Sequence, residues 1–302
     1  MKKSIYFFLI ISTAIIIGSL LYFNFAKKNE QNFVKSDKTK VAATIFPLAD
    51  IARNIGGNNV EVVNILPPGA SPHTFQAKPA DIIALQDAKA IFSIGNGLDD
   101  WAGEMAKNAD NAPIIVVDSN IKKGMFIDED EGPEPQTDPH YWLSADNAKI
   151  ITDDILAELV KIDPAHTDDY QKNAENYKQK LDNLKFELSA ELSALPSKNL
   201  IVFHGSWNYF AKEYDLNIAG VFEPSPGKEP SLKYLKELND TAKKYNIKSV
   251  FSEPQLSSGI IDSFVEDLGL KIFILDPLGG IGERNSYINL MRYNAQTIKN
   301  AL

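Results

Sequence analysis

A chain of 302 residues with 44% hydrophobic and 24% charged side chains has ordinary globular composition and enough length for two modest domains. It contains no cysteine, which excludes a disulfide framework, a thiolate metal site and a lipid-bearing cysteine. Seven lysines against two acids give residues 1–40 a charge of +5, so the remainder carries −14 of the total −9; such a surface repels nucleic-acid phosphate and anionic lipid and favours cations.

Ser4 to Ala26 are uncharged and lie between Lys2-Lys3 and Lys27-Lys28, the pattern of an export segment. A helix of that length reaches about 35 Å, against a bilayer core of about 30 Å. No small-x-small cleavage site follows it, which favours an uncleaved anchor; cleavage at Asn24-Phe25-Ala26 would release the domain. Residues 1–40 are therefore read as an anchor or signal segment with a linker, and the rest of the chain as extracytoplasmic.

Val41–Phe46 reads as a buried strand and Leu48–Ile55 as a helix ending near Gly56-Gly57. The unit then repeats. Strands are expected at Val60–Ile65, Ala90–Ile94 and Ile114–Asp118, with helices at Pro79–Asp87 and Leu98–Asn108. Ile121 to Pro139, with the acidic run Asp128 to Glu134, reads as a loop without a defined metal geometry. Ser144 or Asp146 caps a helix whose apolar face carries Ile151, Ile155 and Leu159.

From Thr167 to Leu195 the apolar residues recur at spacings of three and four, which predicts one continuous helix of about 40 Å. Its place between two strand-helix runs makes it a rod joining two halves, in preference to a coiled-coil dimer helix. The second run has strands at Leu200–Phe203, Ile218–Phe222, Ser249–Phe251 and Ile272–Leu275. Its helices fall at Trp207–Tyr214, Ser231–Tyr245, Ile260–Leu268 and Tyr287–Leu302. The fold class is therefore α/β: two lobes, each with a parallel sheet flanked by helices, joined by one long rigid helix. The expected organisation is 41–166 for the first lobe, 167–195 for the connecting helix and 196–302 for the second lobe.

Ligands in such sheets gather at the carboxyl ends of strands. Pro67, Pro68 and Pro72 stiffen the loop that carries His73. His140 follows Asp138-Pro139, His204 ends a strand, and Asp276 follows another. His166, in Asp163-Pro-Ala-His-Thr, stands apart as a residue of no special role. Taken singly, each of these polar residues is an ordinary capping or surface residue. Together, two histidines from the first half and a histidine plus Asp276 from the second can close four ligands around an ion in the cleft between lobes. Neutral imidazoles with one carboxylate suit a divalent transition ion of the zinc type, whereas calcium and magnesium prefer oxygen shells.

Four segments in order, Leu66-Pro-Pro-Gly-Ala-Ser-Pro-His73, Asp138-Pro-His140-Tyr-Trp-Leu143, Phe203-His204-Gly-Ser-Trp-Asn-Tyr-Phe210 and Leu275-Asp276-Pro-Leu-Gly279, resemble the motifs of the zinc/manganese solute-binding proteins of ABC importers. The resemblance covers residues 40 to 302. It implies two lobes, a rigid connecting helix, and one metal ion held by His73, His140, His204 and Asp276. Manganese-preferring members carry a glutamate where His204 stands, so Zn²⁺ is the expected ion and Mn²⁺ the alternative. Zinc members often carry a histidine-rich loop where this chain has acidic residues, and many relatives from single-membrane bacteria use a lipidated cysteine that this chain lacks.

The expected function is binding of a divalent metal outside the cytoplasmic membrane and delivery to a cognate ABC permease. The protein is expected to act as a monomer, with no nucleic-acid partner, no catalytic residues and no cofactor other than the transported metal. A zinc-dependent hydrolase with Glu253 as general base is the rival from another class, and an adhesin with an incidental metal is a further one.

Overall fold

The computed structural model describes residues 38–126, 136–223, 230–255, 265–266 and 268–302. The expected anchor at Ser4–Ala26, the acidic run from Asp128 to Glu134 and most of the expected helix at Ile260–Leu268 lie outside these residues. Among the described residues no helix is long and apolar enough to cross a membrane.

Two four-stranded parallel sheets form, as the alternation of apolar runs and helices predicts. The first contains β1 (Thr39–Ala43), β2 (Val60–Asn64), β3 (Ile91–Ser93) and β4 (Ile114–Val116) in the order β2-β1-β3-β4. It is accompanied by α1 (Phe46–Gly56), α2 (Pro79–Ala84) and α3 (Trp101–Lys107). Proline near the start of both α1 and α2 matches the missing N–H and fixed φ that a first helical turn tolerates. One pair of strands was not legible in the sequence: the stretch read as a loop, Ile121 to Pro139, contains a short antiparallel pair, β5 (Met125–Phe126) with β6 (Gln136–Thr137). Two-residue strands carry no periodicity by which to recognise them.

Helix α4 (Ala145–Ile162) is capped by Ser144, whose hydroxyl accepts from the Asn147 N–H. Asp146, the alternative cap, is instead held by Lys149 and Lys185. The long helix α5 (Thr167–Ser193) runs 27 residues without a break. Its buried residues Tyr170, Ala174, Tyr177, Leu181, Leu184, Leu188 and Leu192 are those of the three-four spacing.

The second sheet has β7 (Asn199–His204), β8 (Asn217–Glu223), β9 (Ser249–Ser252) and β10 (Lys271–Ile274) in the order β10-β9-β7-β8. Helices α6 (Asn208–Glu213), α7 (Leu232–Lys244) and α8 (Tyr287–Ala301) accompany it.

The halves share one core. A single cluster of buried apolar residues runs from Val41 and Phe92 of the first sheet, through Tyr177, Leu181 and Leu184 of α5, to Leu200 and Phe251 of the second. Polar contacts reinforce it. The Trp142 Nε1–H donates to the Pro277 carbonyl at 2.8 Å, the Tyr287 hydroxyl donates to the Trp142 carbonyl at 2.8 Å, and the Tyr287 N–H donates to Asp50 Oδ2 at 2.9 Å. Gly280, at φ +87°, lies against Phe46, where a Cβ would come within 3.1 Å of the ring. A side chain there would crowd the Phe46 ring, in a backbone region that favours glycine.

Because Leu184 is fully buried in this shared core, Leu184→Ala is expected to lower unfolding stability by about 2–5 kcal/mol in urea titrations. Calorimetry of the same variant should show one transition; two resolved transitions would mean that the halves unfold separately.

Candidate metal centre

His73 lies on the loop after β2. The Ala70 N–H bonds to the Pro67 carbonyl at 3.1 Å, forming a turn with Gly69 at φ +81°, and the Trp101 Nε1–H donates to the Pro72 carbonyl at 3.0 Å. The Trp101 ring also packs edge-on against Phe75, 4.6 Å between centroids. The prolines restrict the loop, but a tryptophan of α3 anchors it.

His140 lies three residues beyond β6, after Asp138 and Pro139. Its backbone N–H and its Nδ1 both meet Asp138 Oδ1, at 2.9 and 2.8 Å. Asp138 is fixed in turn by Asn208 Nδ2, which donates to Oδ2 at 3.1 Å, and by the Tyr209 hydroxyl, which donates to its carbonyl at 3.1 Å. Both partners come from α6 in the other half of the chain. His204 is the last residue of β7, with Nδ1 3.5 Å from Glu253 Oε2. Glu253 immediately follows β9, the strand beside β7, so sheet order alone brings the pair together. The Ser206 hydroxyl and the Trp207 Nε1–H both donate to Glu253 Oε1, at 2.7 and 3.0 Å.

The three rings face one another, with centroids 5.5 Å apart for His73 and His140, 5.1 Å for His73 and His204, and 4.9 Å for His140 and His204. Each offers a nitrogen within 4.8 Å of the other two. The Nε2 atoms of His73 and His140 are buried without a hydrogen-bond partner. Buried polar atoms are rarely left unpaired without a functional reason. A tetrahedral zinc ion with bonds of about 2.0–2.1 Å would hold such nitrogens about 3.4 Å apart, so a small inward movement suits the cluster to an ion.

Asp138 and Glu253 occupy Nδ1 of their histidines, which fixes the ring orientation and leaves Nε2 to coordinate. Sequence reading did not single out Asp138 for this role and considered Glu253 only as a base. The one available signal was their position next to or near the histidine loops. Glu253 is fully buried and both its oxygens are engaged, so it is not disposed to act as a general base toward a metal-bound water.

Burial, aided by the neighbouring His140 and His204 rings, pushes the His73 pKa down to about 3. Burial likewise holds His140 below its ordinary value, against the upward pull of Asp138. For His204, burial also acts downward, but the negative charge of Glu253 outweighs it and the net shift is upward. Burial raises Glu253, and the His204 charge with the hydrogen bonds outweighs that, leaving the carboxyl lowered. Two imidazoles are thus neutral and ready to coordinate, while the third holds its proton more firmly.

Asp276, the fourth expected ligand, is buried two residues beyond β10, at the same sheet edge as His204, but it is not part of the three-histidine group. Its Oδ2 lies 3.0 Å from Arg284 Nη1. His166 stands apart, with Nδ1 2.9 Å from Asp163 Oδ2 near the start of α5.

The profile of the family described as zinc-uptake complex component A, periplasmic, matches residues 41–301. The zinc-binding protein AdcA of Streptococcus pyogenes is 26% identical over 303 residues, covering 92% of this chain; the chain spans only 59% of that protein's length. The manganese ABC transporter substrate-binding lipoprotein PsaA of Streptococcus anginosus is 27% identical over 286 residues, covering 90% of this chain and 92% of that one. A crystal structure of ZnuA superposes with a TM-score of 0.79 at 32% identity, covering 88% of this chain and 99% of the other. With two parallel sheets joined by a long helix and a match over nearly the whole described body, this chain belongs to the family of zinc-uptake complex component A.

Proposed function

We propose that this protein captures a divalent transition-metal ion outside the cytoplasmic membrane and passes it to the permease of an ABC importer. It acts as a binding protein and not as a catalyst. The observation that carries the reading is the convergence of His73, His140 and His204 with two buried, unpartnered Nε2 atoms. Asp276 completes the shell as the fourth ligand. In this assignment residues 41–166 and 196–302 are the lobes that supply the ligands, and 167–195 is the helix that joins them. The protein is held at the membrane by residues 4–26 or released from them.

Zinc is the preferred ion, because three imidazoles and one carboxylate form a shell with more nitrogen than manganese favours. The relatives named for zinc and for manganese both support metal capture for ABC uptake. Elemental analysis of purified protein followed by zinc–manganese competition tests the reading. The wild type should retain zinc, and His204→Glu should lose about tenfold or more of its preference for zinc over manganese. A wild type that binds neither ion tightly would overturn the proposal.

The proton balance gives a second test. His73 and His140 are already neutral at pH 7, since burial lowers both, whereas the Glu253 charge raises His204 above its ordinary value. Zinc binding near pH 6.5 should therefore release about one proton, measurable by calorimetry in buffers of different ionisation enthalpy. Zinc affinity should fall as pH drops through the raised His204 pKa, and Glu253→Gln should move that fall to lower pH. Release of about three protons would mean that all three rings are charged in the free protein.

A further inference from the structure

Asp276 is held in two unlike ways on its two oxygens. Oδ1 accepts from the Leu278 N–H and the Gly279 N–H, each at 3.0 Å, and from Gln255 Nε2 at 3.2 Å. Those three donors fill its lone-pair directions. The backbone of Asp276 is clamped as well: its N–H donates to Asn294 Oδ1 and its carbonyl accepts from Asn294 Nδ2, both at 2.8 Å. Only Oδ2 is left with capacity for a further cation, and Arg284 Nη1 lies on it at 3.0 Å. The carboxylate sits at the strand ends of the second sheet, two strands across from His204 and bridged toward it by Gln255 after β9.

Arg284 reaches the carboxylate from the outer side of the site, on a turn closed by the Gly280 N–H donating to its carbonyl at 2.8 Å. It ends a short turn, Gly282–Arg284, preceded by Gly279 and Gly280, and all three glycines have positive φ. While it pairs with Asp276, its guanidinium carbon also lies 4.9 Å from the centroid of the Tyr293 ring, so the same cation bridges the carboxylate and an aromatic face. Its side chain is 18% exposed where that of Asp276 is 3%, so the arginine lies on the solvent side of the pair.

We propose that Arg284 is a built-in competitor for the metal ion: in the free protein its guanidinium occupies Asp276 Oδ2, and an incoming ion must take that oxygen from it. This rests on the metal-capture reading above. The physical reason is charge. Three neutral imidazoles and a carboxylate give a divalent ion one compensating negative charge, and a guanidinium on that carboxylate cancels it. The pair also keeps the buried carboxylate from standing unpaired while no ion is present, a state that is strongly disfavoured. Arg284 therefore sets how tightly the ion is held, and its return to Asp276 favours release.

Chelator-competition titrations with zinc on Arg284→Gln, Arg284→Lys, Asp276→Asn and the Arg284→Gln/Asp276→Asn double variant test this. Arg284→Gln should bind zinc about tenfold tighter or more, Arg284→Lys should stay near wild type, and the gain should vanish when Asp276 is also replaced. Unchanged or weaker zinc binding in Arg284→Gln, or a gain that persists without Asp276, would overturn the inference. A measurement on the wild type does not depend on the variants folding: modification by phenylglyoxal, mapped by mass spectrometry, should rise severalfold at Arg284 when zinc is added and stay constant at Arg53 and Arg292. An Arg284 reactivity unmoved by saturating zinc would overturn the inference while leaving metal capture standing. Absence of zinc binding by the wild type would instead overturn the proposed function.

Discussion

Imidazoles supplied by two sheets can meet only if the sheets are held in register, and here that constraint is met by one apolar core. The residues along α5 pack toward both halves, and a single buried cluster passes from β1 and β3 through the helix to β7 and β9. Hydrophobic burial is not directional, so it fixes the distance between the halves better than their alignment. Alignment comes from directional contacts at the cleft, such as Trp142 to Pro277 and Tyr287 to Trp142 and Asp50. His140 sits two residues from Trp142, so the hydrogen bond that registers the halves also registers a ring of the metal centre.

The centre repeats one device on different local structures. Asp138 holds His140 from within a loop, and Glu253 holds His204 from the adjacent strand. In each case a buried carboxylate takes Nδ1, and neighbouring donors stabilise that carboxylate: Asn208 for Asp138, and Ser206 with Trp207 for Glu253. His73 has no such partner. Its pKa falls to about 3, because burial and two neighbouring rings act on it without an opposing charge. The surroundings thus divide three chemically identical side chains into two whose pKa is lowered and one whose pKa is raised.

Much of the fold was legible because the signals were local. The alternation of apolar runs with helices marked every described strand except the short pair β5 and β6, and the three-four spacing marked α5 to within two residues of its observed end. Strand ends identified the His73 loop and His204 for the same reason: in a parallel sheet, chain direction decides which edge a residue reaches; His140 was marked instead by the Asp138-Pro139 that precedes it. Less legible was the hydrogen bonding around those loops. Trp101, Asn208 and Tyr209 lie far from the histidines in sequence, and their side chains find the loops only after the helices pack.

The sequence by itself determined the two sheets, the rod between them and the strand end and loops that carry the histidines, because each depends on residue periodicity and on proline and glycine placement over short spans. Only the tertiary structure decided which of the expected ligands stand together. Periodicity could bring Asp276 to the right edge of the sheet, but could not tell that its free oxygen is shared with a cation eight positions later. Ion pairing of that kind depends on where two side chains end up in space, and a turn with three positive-φ glycines places Arg284 there.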